Sequence, residues 1–257
     1  MLRILVPLLF ALSLLVSCAP KNVAPTPKAE AQALKSWQSY LDRQPESRPF
    51  RLSLSLRAGK KGESRRVTAL LWGNDTQQLR LDVQAGVGAT LAKISQKPED
   101  FLLVAPVDGK AFWHHGAASP RVRLGVPLPF SLSDLANLLT GREKAVFGTG
   151  YLRLDETNKG PGFVLDGELS GYLLLDTQGR VCTFDQMQLN HGQGWKIDFQ
   201  YDEQGDLHKL DLINHKGERL LLLVKNRENP APFTESQLTL SAPPGYPLLP
   251  LEKYASR

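Results

Sequence analysis

The feature that most constrains the fold is a strict alternation of apolar and polar residues that begins at Phe50. Phe50, Leu52, Leu54 and Leu56 alternate with arginine and serine residues. Successive side chains of a β-strand point to opposite faces of the sheet, so this strand has one apolar face and one face in water. The pattern predicts an amphipathic sheet whose apolar face has to be covered.

Similar short strands recur along the chain, and turn sequences such as Gln178-Gly179 and Lys216-Gly217 separate them. Such turns favour antiparallel neighbours. The further predicted strands cover 67–72, 79–83, 89–94, 101–104, 111–114, 150–155, 163–169, 172–176, 181–189, 195–201, 207–213, 219–225 and 237–240. We therefore predict a mainly β fold with a minor α component, which forms an unclosed antiparallel β-barrel or strongly curved sheet of about a dozen strands.

A helix is predicted before the first strand. Leu34, Trp37 and Leu41 recur at helical spacing with polar residues between them, and Pro45 prevents continuation. This pattern indicates one amphipathic N-terminal helix over 29–41.

A second helix is predicted as an insertion between the strands. The stretch 124–130 is apolar but too rich in proline for a central strand. Ser131 or Ser133 can then cap a short helix that ends at Gly141. Its apolar side carries leucines at 132, 135, 138 and 139. We expect this insertion to act as an apolar lid or plug on the sheet.

The N-terminus has the features of an export signal. Its apolar run, 4–16, is too short to span a membrane and ends in Leu15-Val16-Ser17-Cys18. This ending resembles the bacterial lipobox, in which the cysteine sulfur receives a diacylglycerol and the peptide is cut before it. We predict a signal peptide over 1–17, lipid attachment at Cys18 with a proline-rich tether over 18–28, and a single domain over 29–257. The alternative is an ordinary cleaved signal with an incidental cysteine.

The predicted lipid determines the location and the redox chemistry of the chain. Several acyl chains on Cys18 would make membrane attachment effectively permanent. Ala19, rather than aspartate, follows the cysteine, which favours export to the outer membrane with the domain facing the periplasm. The chain has two cysteines, so acylation of Cys18 leaves Cys182 without a partner within the monomer.

Other function classes receive little support from the sequence. The formal charge of +5 is modest and no basic stripe with interleaved aromatics occurs, so nucleic acid is not an expected partner. His114 and His115 are adjacent on a predicted strand and point to opposite faces, so they cannot readily chelate one metal. The sequence contains no Gly-x-Ser-x-Gly elbow and no phosphate-binding loop. We expect no catalytic residue, no metal and no cofactor.

Three segments resemble the LolA/LolB-like lipoprotein-binding superfamily. They are the strand, turn and strand of 79–91, the apolar segment of 125–130 with the leucines that follow it, and the late tryptophan strand of 194–199 with Tyr201. The resemblance spans most of residues 30–240. It implies an unclosed barrel with a helical lid that holds the acyl chains of a lipoprotein. The implied partners are these acyl chains or phospholipid, a periplasmic carrier protein and the inner leaflet of the outer membrane.

The resemblance also implies functional residues. Val87 matches the family's exposed apolar residue that contacts the membrane, and Gly86 stands where the family prefers proline. The alternative is a simple hairpin turn. The residues expected to line an acyl-chain cavity are Leu52, Leu54, Leu81, Phe101, Leu103, Phe112, Leu128, Phe130, Leu135, Leu138 and Phe199. The alternative is that these side chains fill a dry core.

Apolar burial alone suffices to hold an acyl chain, at about 25 cal/mol per Å² of buried surface, and needs no catalytic group. Together with the lipobox, the resemblance therefore implies a lipid-anchored protein that binds acyl chains of lipoproteins or other lipids and helps insert or localise them in the outer membrane. The alternative is a non-catalytic scaffold of an envelope assembly that keeps the fold without lipid transfer.

Overall fold

The computed structural model describes residues 24–60, 62–86, 88–116, 120–123 and 127–255. Within these residues the chain forms six α-helices, two 3₁₀ helices and sixteen β-strands. The helices are α1 Pro27–Asp42, α2 Leu132–Leu139, α3 Lys144–Phe147, α4 Gln186–Leu189, α5 Glu235–Leu238 and α6 Glu252–Ala255, with 3₁₀ turns at Pro106–Asp108 and Gly167–Leu169. None of these helices is long and apolar enough to cross a membrane.

The strands follow the predicted positions closely through most of the chain. They are β1 Phe50–Gly59, β2 Arg65–Gly73, β3 Leu79–Ala85, β4 Ala89–Gln96, β5 Asp100–Ala105, β6 Lys110–His115, β7 Arg121–Arg123, β8 Pro127–Ser131, β9 Arg153–Thr157, β10 Gly160–Leu165, β11 Gly171–Leu175, β12 Val181–Asp185, β13 Trp195–Tyr201, β14 Leu207–Asn214, β15 Arg219–Glu228 and β16 Leu248–Pro250. The mainly β prediction is confirmed.

Fourteen of the strands form one open sheet. Their order is β16-β6-β5-β4-β3-β2-β1-β15-β14-β13-β12-β11-β10-β9, and β7 and β8 form a separate ribbon. Neighbours in the large sheet are antiparallel except for the parallel pair of β16 and β6. The two edge strands, β16 and β9, do not pair with each other, so the sheet does not close.

The register aligns the apolar positions of successive strands on one face. Leu54 of β1 pairs with Ala69 of β2 and with Val224 of β15. Leu222 of β15 in turn pairs with Leu210 of β14. A flat sheet of fourteen strands would be roughly 60 Å wide at about 4.8 Å per strand. One hydrophobic cluster nevertheless contains residues from β1 to β6 and from β10 to β15. The sheet therefore curls around its apolar face.

The predicted lid helix lies inside this curled sheet. Six of the eight residues of α2 are buried, whereas a helix on a flat sheet would keep one face in water. Its N-cap is Ser131, the first of the two predicted alternatives, whose Oγ accepts from the Asp134 amide at 3.1 Å. Asp134 accepts in return from the Ser131 amide at 2.9 Å, which completes a capping box.

Helix α1 begins two residues earlier than predicted and packs on β10. Thr26 is its N-cap and Pro27 occupies the first turn, where the missing amide hydrogen has no partner to lose. The ring of Trp37 lies 4.8 Å from that of Tyr151 and 4.6 Å from that of Phe163. The prolines of the predicted tether therefore do not all lie outside the helix.

Several strand predictions were wrong in detail. The strand predicted over 163–169 ends at Leu165, before the 3₁₀ turn Gly167–Leu169 that Asp166 caps. The segment predicted as a strand over 237–240 begins inside α5, since Thr234 and Gln237 form a capping box there. The strand predicted over 181–189 ends at Asp185, whose side chain caps α4. Strand β16 was not predicted, and it places the C-terminal segment at the edge of the sheet beside β6. Capping side chains override apolar periodicity in the first three cases.

The β11–β12 turn fixes α1 against the sheet through a glycine. A Cβ on Gly179 would lie 2.3 Å from the Tyr40 amide nitrogen and 2.6 Å from the Ser39 carbonyl carbon. Gly217 occupies a similar turn, with φ of +72° against +73° at Gly179, but faces open space.

We predict that Gly179→Ala destabilises the fold by about 3 kcal/mol or more, since it adds a backbone clash to the cost of a left-handed alanine. Gly217→Ala should cost only the conformational part, about 1 to 2 kcal/mol. Urea unfolding followed by circular dichroism measures both values. Equal losses in the two variants would contradict the close approach of α1.

Candidate functional site

A cavity of about 570 Å³ opens at one end of the curled sheet. It lies where β1 turns into β2, β3 into β4 and β14 into β15. Its apolar wall consists of Ala58, Val67, Val83, Leu91, Ala92, Ile94, Leu103 and Tyr254. The volume falls within the roughly 300 to 1,000 Å³ of small-molecule pockets.

The cavity exists because inward-facing side chains become smaller toward this end of the sheet. Along β1 the inner face changes from Leu56 to Ala58, and along β3 it changes from Leu81 to Val83. On β4 the residue paired with Val83 is Ala92. Large aliphatic side chains meet α2 deeper in the sheet, whereas the smaller ones leave space at the open end.

Charged residues form the rim of the cavity. Lys60, Glu63 and Arg65 line it from the β1–β2 hairpin, and Glu218 lines it from the β14–β15 hairpin. An apolar interior with a polar mouth suits a ligand that has an apolar body and a polar end.

The C-terminal segment completes the wall of the cavity. The Leu251 amide donates to the Trp113 carbonyl at 2.8 Å, which holds the segment beside β6 as α6 begins. The Tyr254 ring then lies 5.0 Å from the Phe112 ring and faces the cavity. His114 faces the same helix, with its Nδ1 3.9 Å from a Glu252 carboxylate oxygen.

All eleven residues predicted to line an acyl-chain cavity are buried, and they belong to a single hydrophobic cluster. Leu103 also lines the cavity. Leu135 and Leu138 lie on α2. The ring of Phe147 lies 6.5 Å from that of Phe130 and 6.1 Å from that of Phe199, so the three rings form one aromatic group. The remaining six are Leu52, Leu54, Leu81, Phe101, Phe112 and Leu128. Their contact with acyl chains stays a prediction.

A buried polar network anchors the residues that follow α2. Arg43, just after α1, places a guanidinium nitrogen 3.3 Å from Glu143 Oε1, and Tyr201 donates to the same oxygen at 3.3 Å. Burial raises the pKa of Glu143, and the Arg43 charge opposes this increase. Lys144 also donates to the Leu41 carbonyl at 2.5 Å. These bonds tie the helical insertion to the C-terminal end of α1.

Two of the predicted site residues, Cys18 and Val87, lie outside the described residues. The 3₁₀ turn between β5 and β6 carries another apolar residue at the surface. Val107 is 72% exposed. The 3₁₀ turn Pro106–Asp108 that carries Val107 contacts β4, beyond the last β4–β5 pair of Lys93 and Val104. In the sequence, the turn residues of the run Pro106-Val107-Asp108-Gly109 indicate that Val107 lies in an exposed turn.

The two adjacent histidines, His114 and His115, face different carboxylates. His115 Nδ1 lies 2.9 Å from Asp100 Oδ1 at the surface, and this hydrogen bond raises the pKa of His115. His114 interacts instead with Glu252. In the part of the chain that the structure describes, no group of three or more histidine, cysteine or acidic residues has an arrangement that could hold a metal ion.

Comparison with known proteins identifies the fold. No protein-family model and no curated protein matches the chain. A LolA superfamily protein from Nitrosomonas europaea matches with a TM-score of 0.53 and 13% identity, over 82% of this chain and 97% of that chain.

Two further solved structures align with the chain. A domain from Vibrio parahaemolyticus, named as a candidate outer membrane lipoprotein-sorting protein, has a TM-score of 0.47 and 13% identity over 82% of this chain and 97% of its own. A DUF1329 family protein from Desulfovibrio piger has a TM-score of 0.48 and 12% identity over 84% of this chain and 100% of its own. The match to the Nitrosomonas europaea structure confirms the predicted resemblance at the level of the fold: the chain has a fold similar to that of this LolA superfamily protein.

Proposed function

We propose that this protein binds acyl chains of lipoproteins, or of other lipids, and helps insert or localise them in the outer membrane. The observation that carries the proposal is the cavity of about 570 Å³ with an apolar wall at the open end of a LolA-like sheet. Each buried methylene of an acyl chain would contribute about 0.8 kcal/mol. The charged rim leaves the polar end of such a ligand in water.

The anchoring part of the proposal depends on Cys18. Lipid on this cysteine would hold the domain at the periplasmic face of the outer membrane. The nine residues from Cys18 to Thr26 span at most about 30 Å when fully extended, so α1 would stay close to the bilayer. This distance suits a protein that passes acyl chains to the membrane in which it is anchored.

Two neighbouring turns form the proposed membrane contact. One turn carries Val87, which stays a prediction from the sequence. The other carries the exposed Val107 and follows β5, whose Leu103 lines the cavity. Transfer of an exposed valine into an apolar phase contributes about 1.5 kcal/mol or somewhat more. The open end of the cavity would then face the bilayer, so an acyl chain would have a short route out.

One observation favours the alternative of an envelope scaffold that does not transfer lipid. Ten of the eleven residues predicted to line the cavity lie outside its wall, and the inside of the sheet is largely filled by α2. A scaffold would keep this filled core and would not need a ligand. Lipid binding by the purified protein separates the two functions.

Filling the cavity should abolish lipid binding. Ala92 lines the cavity, whereas Ala89 on the same strand is exposed. We expect the full chain, purified from membranes in a maltoside detergent, to retain lipid in native mass spectrometry, and Ala92→Phe to lose it because the ring occupies the cavity. Ala89→Phe is the matched control and should retain lipid. A lipid-free wild-type protein that also fails to bind a fluorescent fatty acid would favour the scaffold.

Loss of the apolar turns should block release and leave binding unchanged. We expect Val87→Glu and Val107→Glu to bind a fluorescent acylated peptide normally but to transfer it to phosphatidylglycerol-containing vesicles at least about tenfold more slowly, since a charged tip has to be desolvated on insertion. Leu152→Glu is the control, because Leu152 is 62% exposed but precedes β9 at the opposite edge. Unchanged transfer in both valine variants would remove these turns from the mechanism.

The two cysteines provide a paired test of the anchor. In cells grown with an alkyne analogue of palmitate, we expect the wild-type chain and Cys182→Ala to be labelled and Cys18→Ala to be unlabelled, because acylation follows the thiol of Cys18. In-gel fluorescence and membrane fractionation measure both outcomes. Labelling that persists in Cys18→Ala would refute the predicted anchor.

A further inference from the structure

A second pocket, separate from the apolar cavity, lies at the other end of the sheet. Its volume is about 180 Å³, and four arginines line it: Arg43, Arg48, Arg142 and Arg227. Phe50 at the start of β1 lines this pocket, and Gly59 at the end of β1 lines the apolar cavity. Nine steps of about 3.3 Å along one strand separate the two sites by roughly 30 Å. We call the second site the arginine pocket.

Two of the arginines have structural partners. Arg43 pairs with the buried Glu143. Arg227 donates to the carbonyls of Leu139 at 2.7 Å and Leu207 at 3.2 Å, and its Nε lies 3.5 Å from Asp206. These two guanidinium groups are held in fixed positions by the last turn of α2 and by neighbouring strands. They provide a rigid, positively charged wall.

The other two arginines have no carboxylate partner within ion-pair distance among the described residues. Arg142 donates from Nε to Thr140 Oγ1 at 3.4 Å, and no ion pair or hydrogen bond involves the Arg48 side chain in the same part of the chain. Burial lowers the pKa of Arg142, and the more distant Asp75 charge opposes this decrease without forming an ion pair. The lining carboxylates are Glu46 and Asp206, and Asp206 faces Arg227.

We propose that the arginine pocket binds the phosphate group of a small phosphate ester. Guanidinium groups donate paired hydrogen bonds that match phosphate oxygens, and such charge-assisted bonds are stronger than neutral ones. The pocket is large enough for a group of about the size of glycerol phosphate. The source of this chemistry is either a free phosphate ester or the head group of a phospholipid.

The arginine pocket lies between two segments of the chain that a bound anion would link. Its lining includes Thr140, Gly141 and Arg142, which connect α2 to α3, and Arg43 and Arg48, which lie in the segment between α1 and β1. An anion shared by Arg48 and Arg142 links these two segments. Binding therefore stabilises the insertion in its place inside the sheet, at the end remote from the cavity.

Calorimetric titration of the full chain in a maltoside detergent tests the proposal with three probes: inorganic phosphate, glycerol 3-phosphate and dihexanoyl phosphatidylglycerol. We expect saturable binding of at least one probe, together with a rise in Tm. Arg48→Gln and Arg142→Gln should each weaken this binding at least about tenfold, because each removes a charge-assisted donor pair. Arg48→Lys should bind at an intermediate level, since it keeps the charge without the planar fork.

Controls define the outcomes that overturn the proposal. Arg57→Gln removes an exposed arginine of β1 that does not line the pocket, and it should bind like wild type. Binding of glycerol 3-phosphate supports a free ester, and arginine-dependent binding of only the phosphatidylglycerol supports a lipid head group. The proposal is overturned if no probe binds or if all variants bind with equal affinity. It is also overturned if chloride at matched ionic strength raises the Tm by the same amount, which indicates an adventitious ion only. Arg48 lies in an exposed loop, so its variant keeps the test valid if Arg142→Gln does not fold.

Discussion

The structure depends on one constraint, which is that a sheet of fourteen strands presents a single continuous apolar face to be removed from water. Apart from this sheet, the described residues form only the short β7–β8 ribbon, which adds Leu128 and Phe130 to the same cluster but is too small to cover that face. The sheet instead curls around its own insertion, and the buried helix α2 provides the surface against which the leucines of the central strands pack. The open end and the cavity follow from this solution, because one short helix cannot fill the whole interior.

The strands and the location of α2 were predictable because each depends on short-range patterns. The alternation that starts at Phe50 fixes which face of β1 is inward, and the pairing with β2 and β15 extends that assignment. The serine before Leu132 and the acid three residues later indicate the start of α2. A one-residue change in register would expose the apolar face, so the long meander leaves little freedom in pairing.

The cavity and β16 were not predictable because both depend on how distant segments meet. The change from leucine or isoleucine to alanine or valine along β1, β3 and β4 is visible in the sequence. Its meaning requires the register that puts Ala58, Val83 and Ala92 at the same end. Strand β16 contains Pro250 and three residues in all, which gives no periodicity to detect. The arginine pocket likewise joins four segments far apart in sequence.

The C-terminal segment beside β6 determines when the wall of the cavity is complete. Tyr254 in its wall contacts Phe112, which lies more than half the chain length away in sequence. Contacts with such large sequence separation form late, because the chain must first pay the entropy of closing a long loop. During synthesis the N-terminal strands emerge first, so they spend time with an incomplete apolar pocket. Folding intermediates of this protein should therefore expose the apolar wall that Tyr254 completes in the folded chain, so this wall is the surface most prone to aggregation before the C-terminal segment packs.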